Sequence, residues 1–112
     1  MMTTGQPIPE VAATEVPDGG WLLDVREDYE WIAGHVPGAT HIALGTLAQR
    51  AGEIPRDELI YVICRSGNRS AHAAHALNGA GWQAVNVAGG MRDWAQAGRP
   101  MISESGAPPT VA

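Results

Sequence analysis

The chain has 112 residues, 45% of them apolar and 17% charged, with a formal net charge of −5. That is enough material for one domain with its own core, and the acidic balance argues against nucleic acid or an anionic lipid surface as a general partner. All seven basic residues are Arg, and the single cysteine, Cys64, excludes an internal disulfide.

Residues 1–9 are polar with two prolines and are expected to be flexible. The opening MMTTGQPIPE lacks the basic patch and apolar stretch of a signal peptide. Apolar runs such as Tyr61–Cys64 are far short of the roughly 20 residues that span a bilayer. The expectation is therefore a cytoplasmic protein with no membrane partner.

A weak strand signal covers Glu10–Ala13. Pro17-Asp18-Gly19-Gly20 marks a turn, and Trp21–Val25 (WLLDV) reads as a short buried strand. Asp28-Tyr29-Glu30-Trp31-Ile32 begins a helix whose early acids suit the helix dipole, and Gly34 ends it. Glu27, Asp28 and Glu30 are assigned to a solvent-exposed first turn. His35–Ala39 is a rigid Gly/Pro turn, His41–Ala43 a small strand, and Leu44–Ala51 a helical stretch closed by Gly52.

Leu59–Cys64 (LIYVIC) is the clearest strand, apolar on both faces, as in the middle of a sheet covered by helices. An alanine-rich helix follows from about Ser70 to Asn78. Trp82–Val87 is another strand, Gly89-Gly90 a turn, and Met91–Ala97 a last helix capped by Gly98. The tail 102–112 (ISESGAPPTVA) is expected to be flexible. The alternation of short strands with helices predicts an α/β domain over 10–101, with a mostly parallel sheet.

Ligands of such sheets bind at the carboxyl ends of strands, and Cys64 stands at that edge of the best strand. The loop after it, Arg65-Ser66-Gly67-Asn68-Arg69-Ser70, would turn backbone N–H groups inward, with Gly67 free of a side chain that would block the curl. Arg65 and Arg69 add positive charge. A thiolate in such a nest is stabilised, so the thiol should ionise below the free value of about 8.5. The alternative is that Cys64 is a small buried hydrophobe, the common fate of a free cysteine; two arginines and a glycine loop argue against it.

Tyrosine phosphatases cradle phosphate in a C-x5-R-S/T loop, whereas Cys64 and Arg69 are spaced C-x4-R. The tighter ring has room for one extra sulfur on the cysteine but little for a tetrahedral phosphate bonded to it. That spacing favours sulfur transfer over a phosphatase or arsenate reductase.

Three segments resemble signatures of the single-domain rhodaneses, a sulfurtransferase family: Leu22–Ile42 (LLDVREDYEWIAGHVPGATHI), Val62–Ala71 (VICRSGNRSA) and Val85–Met101 (VNVAGGMRDWAQAGRPM). The resemblance runs from Glu10 to Met101. It implies a rhodanese-like fold, a five-stranded mostly parallel sheet with helices on both faces. It implies that Cys64 is the nucleophile, taking a sulfur from thiosulfate or a similar donor as a persulfide and passing it to cyanide or a thiol. Arg65, Ser66, Gly67, Asn68, Arg69 and Ser70 would then surround the substrate sulfur.

By the same resemblance, Asp24 and Arg26 are a supporting ion pair, His35 is a hydrogen-bonding turn residue, Gly89 and Gly90 permit the last turn, and Trp94 is core. No metal or organic cofactor is implied. His72 and His75 share a helix face, but zinc needs three or four ligands and no second cluster accompanies them. A thiosulfate sulfurtransferase is the leading expectation. The other reading is a carrier module that receives sulfur from a desulfurase in a protein relay. With no second cysteine, the final acceptor has to come from outside the chain.

Overall fold

The computed structural model describes residues 9–112, so nearly all of the stretch 1–9 expected to be flexible lies outside the described residues. Five strands form one sheet: β1 (Glu10–Ala12), β2 (Trp21–Asp24), β3 (Thr40–His41), β4 (Leu59–Ile63) and β5 (Gln83–Ala88). Their order is β1-β5-β4-β2-β3, and every pairing is parallel. Four α-helices accompany them: α1 (Asp28–Ala33), α2 (Leu47–Arg50), α3 (Asn68–Gly79) and α4 (Gly90–Gln96). The α/β architecture expected from the sequence is the one observed.

β4 is central because its side chains are apolar in both directions. Ile60 and Val62 face one core, with Leu23, Val25, Ala73, Ala74 and Leu77. Tyr61 and Ile63 face the other, with Leu22, Val87, Met91 and Trp94. This is the pleat alternation of a strand covered on both sides. Cys64 has the parity of Ile60 and Val62, so its side chain enters the α3 side of the sheet.

The topology opens the site. From β2 the chain runs through α1 to β3 on one flank, and from β4 through α3 to β5 on the other. Loops leaving the neighbouring ends of β2 and β4 therefore diverge, which leaves the crevice where ligands of parallel α/β sheets bind.

Some boundaries differ from expectation. Helix α3 starts at Asn68, two residues before the expected Ser70, with Gly67 as its left-handed N-cap (φ 106°). The stretch expected to be one helix over Leu44–Ala51 is a short α2 flanked by 3₁₀ turns. The tail 102–112, expected to be flexible, is instead laid against the domain. His35 and Ile102 exchange backbone hydrogen bonds of 2.8 and 2.9 Å, and the Thr110 amide donates to the Ala33 carbonyl at 2.9 Å. Val111 packs on the second core. Composition marks such a segment as polar and proline-rich; it does not show that Val111 reaches the second core or that three amides find acceptors near the end of α1.

Ile60 is fully buried in the central strand. Ile60→Ala should cost about 2–5 kcal/mol, read as a lower urea midpoint with an unchanged slope; a loss under about 0.5 kcal/mol would mean that β4 is not the core strand.

Candidate functional site

The site is built where β4 ends and α3 begins. Cys64 is 1% exposed, and its Sγ accepts a hydrogen bond from the Gly67 amide at 3.1 Å. Ser70 Oγ lies 3.2 Å from the same sulfur. Residues 64–70 thus wrap back over the thiol, and a left-handed residue is needed at position 67 to close the wrap. A Cβ on Gly67 would also press on the Gly89 amide at 3.2 Å.

Helix α4 locks this loop to the body of the domain. Its first free amides, on Met91 and Arg92, donate to the carbonyls of Cys64 (2.8 Å) and Arg65 (3.1 Å). Helix starts leave such donors unsatisfied, and here the loop supplies their acceptors. Gly90 has φ 54°, and a Cβ there would collide with the backbone of Cys64 and Arg65. The paired glycines at 89–90 are what let helix and loop meet.

Burial pushes the Cys64 thiol up, but the Ser70 hydroxyl and the amides of Ser70, Gly67 and Ser66 outweigh it, and the thiol ionises below its ordinary range. The sequence points to inward backbone N–H groups for this stabilisation, with Arg65 and Arg69 adding positive charge. The amides are there as expected, and the Ser70 hydroxyl adds the largest favourable contribution. Arg69 does sense the sulfur's charge, but its guanidinium is occupied elsewhere.

That occupant is Glu30. Arg69 Nη1 and Nη2 donate to Glu30 Oε1 and Oε2 at 2.7 and 2.8 Å, a bidentate pair joining α3 to α1. Glu30 is 2% exposed, so its assignment to a solvent-exposed first turn is wrong. Its carboxylate also accepts from the Glu27 amide at 2.9 Å, as a third helical residue does in a capping box. A capping acid and an exposed acid look alike in sequence; the difference is the arginine 39 positions away.

Asp24 and Arg26 form the expected pair, both fully buried, at 2.8 Å. Arg26 also donates to the Gly34 carbonyl at 2.8 Å, tying β2 to the end of α1. His35 is buried, donates Nδ1–H to the Trp31 carbonyl at 2.8 Å, and stacks on the Trp31 ring with centroids 3.6 Å apart. Trp94 is buried, as expected. Arg65 is exposed, and its Nε donates to the Ala112 carbonyl at 3.0 Å. Asn68 opens α3 and is exposed.

Two polar residues at the site, the buried Asn86 and the exposed Glu10, escaped the sequence reading. Asn86 on β5 places Oδ1 2.5 Å from Ser70 Oγ, and its Nδ2 donates to the Gly67 carbonyl and to Glu10 Oε2. The available signal was an amide between two valines in a buried strand, which requires a partner. Glu10 is recognisable only once β1 is paired to β5. A cavity of about 470 Å³ beside the ends of β2 and β3, lined by Glu27, Tyr29, His41 and Arg50 among others, flanks the site. Another of about 360 Å³ lies at the opposite, amino end of the strands, among Trp21, Thr40 and Trp94.

The sequence profile of the rhodanese-like domain matches residues 9–97. The chain belongs to the rhodanese-like family. It is 34% identical to a sulfurtransferase of Allochromatium vinosum over 86 residues, 76% of this chain and 80% of that protein. It is 47% identical over 74 residues to the provisionally named sulfur carrier protein YrkF of Bacillus subtilis, covering 65% of this chain but only 40% of YrkF. Among solved structures, a rhodanese-related protein of Thermoplasma volcanium superposes with a TM-score of 0.80 at 32% identity, over 84% of this chain and 97% of that one. The sulfurtransferase family and the rhodanese-like fold are therefore established for this chain. No helix among the described residues is long and apolar enough to cross a membrane.

Arg69 holds Glu30 well below the usual carboxylate range, against the upward push of burial. A depressed carboxylate stabilises the fold above its unfolded pKa of about 4.3, and that contribution is lost as pH falls through the folded value. Glu30→Gln should therefore cost about 1–3 kcal/mol at neutral pH and lose less stability than wild type between about pH 5 and pH 3. Urea titrations at both ends of that range test this; parallel pH slopes would show that the pair carries no stability.

Proposed function

We propose that the protein is a sulfurtransferase that carries a sulfane sulfur on Cys64, accepting it from thiosulfate or a similar small donor. The observation that supports this most directly is the buried Cys64 sulfur, held by the Gly67 amide and the Ser70 hydroxyl inside a six-residue loop. Such a sulfur is a thiolate nucleophile with donors already aimed at it.

In the first half-reaction the thiolate attacks the outer sulfur of thiosulfate. A Cys64 Sγ–S bond forms, and the donor's S–S bond breaks with its electron pair leaving on sulfite. In the second, cyanide or a thiolate attacks the outer sulfur, and the Sγ–S pair returns to Cys64. The two steps balance without metal, cofactor or external oxidant. Residues Arg65 to Ser70 surround the transferred sulfur and keep its charge among backbone N–H groups. Asp24 and Arg26 brace the loops and touch neither substrate.

The donor preference rests on less charge than the sequence suggested. Glu30 neutralises Arg69, which leaves Arg65 as the exposed cation of the loop, its Nε donating to the Ala112 oxygen. One exposed cation still suits an anionic donor.

A relay role is the second reading, favoured by the absence of a second cysteine and by the name of the YrkF relative. Here a desulfurase loads Cys64, and a partner protein unloads it. Intact-mass spectrometry separates the two: a one-sulfur adduct after thiosulfate alone supports the small donor, and an adduct formed only with a desulfurase supports the relay.

Thiosulfate and cyanide should yield thiocyanate with the wild-type protein, and Cys64→Ser should fall to the uncatalysed rate. Equal turnover by Cys64→Ser would end the reading. Because the thiolate is the attacking form, the rate of sulfur uptake should fall as pH drops through the lowered thiol pKa, half-maximal below the free-cysteine value of about 8.5. A half-point at or above that value would remove the role given to the loop.

A further inference from the structure

The hydrogen bonds around Ser70 are short of a proton. A serine hydroxyl donates once, yet Ser70 Oγ lies 2.5 Å from Asn86 Oδ1 and 3.2 Å from Cys64 Sγ. The Asn86 amide cannot be turned to relieve this. Its Nδ2 faces the Gly67 carbonyl at 3.1 Å and a Glu10 carboxylate oxygen at 2.8 Å, both of which only accept. Oδ1, an acceptor without a proton, must therefore point at Ser70.

The arrangement is satisfied only when Cys64 is protonated. The thiol then donates S–H to Ser70 Oγ, and Ser70 donates O–H to Asn86 Oδ1. When the thiol loses its proton to solvent, the sulfur becomes an acceptor, and sulfur and amide oxygen want the same hydroxyl proton. If the hydroxyl turns to the sulfur, two oxygens are left facing each other without a hydrogen between them. All of these atoms are buried, so water does not substitute for the missing donor.

We propose that Asn86 is a positioning residue for the nucleophile, competing with the Cys64 sulfur for the one hydroxyl proton of Ser70. The hydroxyl is thereby a two-position rotor that reports the charge state of the thiol. It points at Asn86 when Cys64 is neutral and at the sulfur when Cys64 is ionised. Asn86 restrains the thiolate, while the Gly67 and Ser70 amides favour it. Uptake of a sulfur makes Sγ a neutral divalent atom, and the hydroxyl is free to return to Asn86 or to reach the outer sulfur.

The inference rests on reading Cys64 as the reactive thiol, but its test does not use sulfur transfer. The charged groups around the rotor are Glu10 from β1, against Asn86 Nδ2, and Arg69 from α3, which senses the sulfur while bound to Glu30 of α1. A double-mutant cycle cancels their contributions. The thiol pKa would be measured from the pH dependence of iodoacetamide alkylation in wild type, Asn86→Ala, Ser70→Ala and the double variant.

Ser70→Ala should raise the thiol pKa. Asn86→Ala should lower it by about half to one pH unit, the equivalent of one neutral hydrogen bond, and should have no effect in the Ser70→Ala background. A residue that merely scaffolds the loop through Gly67 would behave oppositely: its loss would raise the pKa, and would do so with or without Ser70. Either result overturns the proposal.

Should Asn86→Ala not fold, the wild type gives the answer. The Asn86 side-chain carbonyl carbon, followed by NMR in asparagine-labelled protein, should titrate with Cys64 as its hydroxyl donor departs. It should be silent in Ser70→Ala. A flat titration in wild type would sink the rotor. Thiocyanate formation that fails while this cycle holds would strike the proposed function and leave the rotor standing.

Discussion

A buried sulfur that is to ionise must be given hydrogen-bond donors, and the whole carboxyl edge of this sheet is arranged around that need. Cys64 is 1% exposed, so solvent does little to hold its charge. The donors come from the backbone, which is why the loop must curl so tightly. The curl requires a left-handed Gly67, and keeping the loop in place requires α4 to close on it through Gly90. A change at any of these positions is felt at the sulfur, although none of them carries a side chain that could react.

Charged side chains around the loop act on shape more than on the sulfur. Arg69 is committed to Glu30 and Arg26 to Asp24, so two of the arginines near the site serve as struts between α1, α3 and β2. Pairing a buried carboxylate removes the cost of leaving it alone and adds register between elements far apart in sequence. The division is economical: dipoles that cannot be titrated hold the thiolate, while titratable groups hold the walls.

Much of this was legible in the sequence because it follows from local rules. The both-faced apolar run at Leu59–Cys64 could belong only to a central strand, and a glycine-rich turn before an alanine-rich helix located the thiol at a strand's carboxyl end. The five-strand architecture and the family both follow from motifs present in the chain. The roles of Glu30, Asn86 and Glu10 depend instead on partners 39, 16 and 76 positions away. A polar side chain announces that it needs a partner, but only the register of β1 on β5 and the approach of α3 to α1 decide which one it gets. The partners of the tail lie beyond local rules for the same reason, since they are backbone groups near the end of α1.

The depth of Cys64 also makes the two halves of the proposed cycle unequal in reach. A donor has to bring its sulfur down to an atom that is almost entirely covered, so bulk close to that sulfur is excluded. Once loaded, the transferable sulfur stands a further S–S bond, about 2 Å, toward the mouth of the loop. An acceptor therefore meets a higher and more open target than the donor did. On the proposed cycle, the depth of the thiol would make the loop more selective by size about what loads it than about what unloads it.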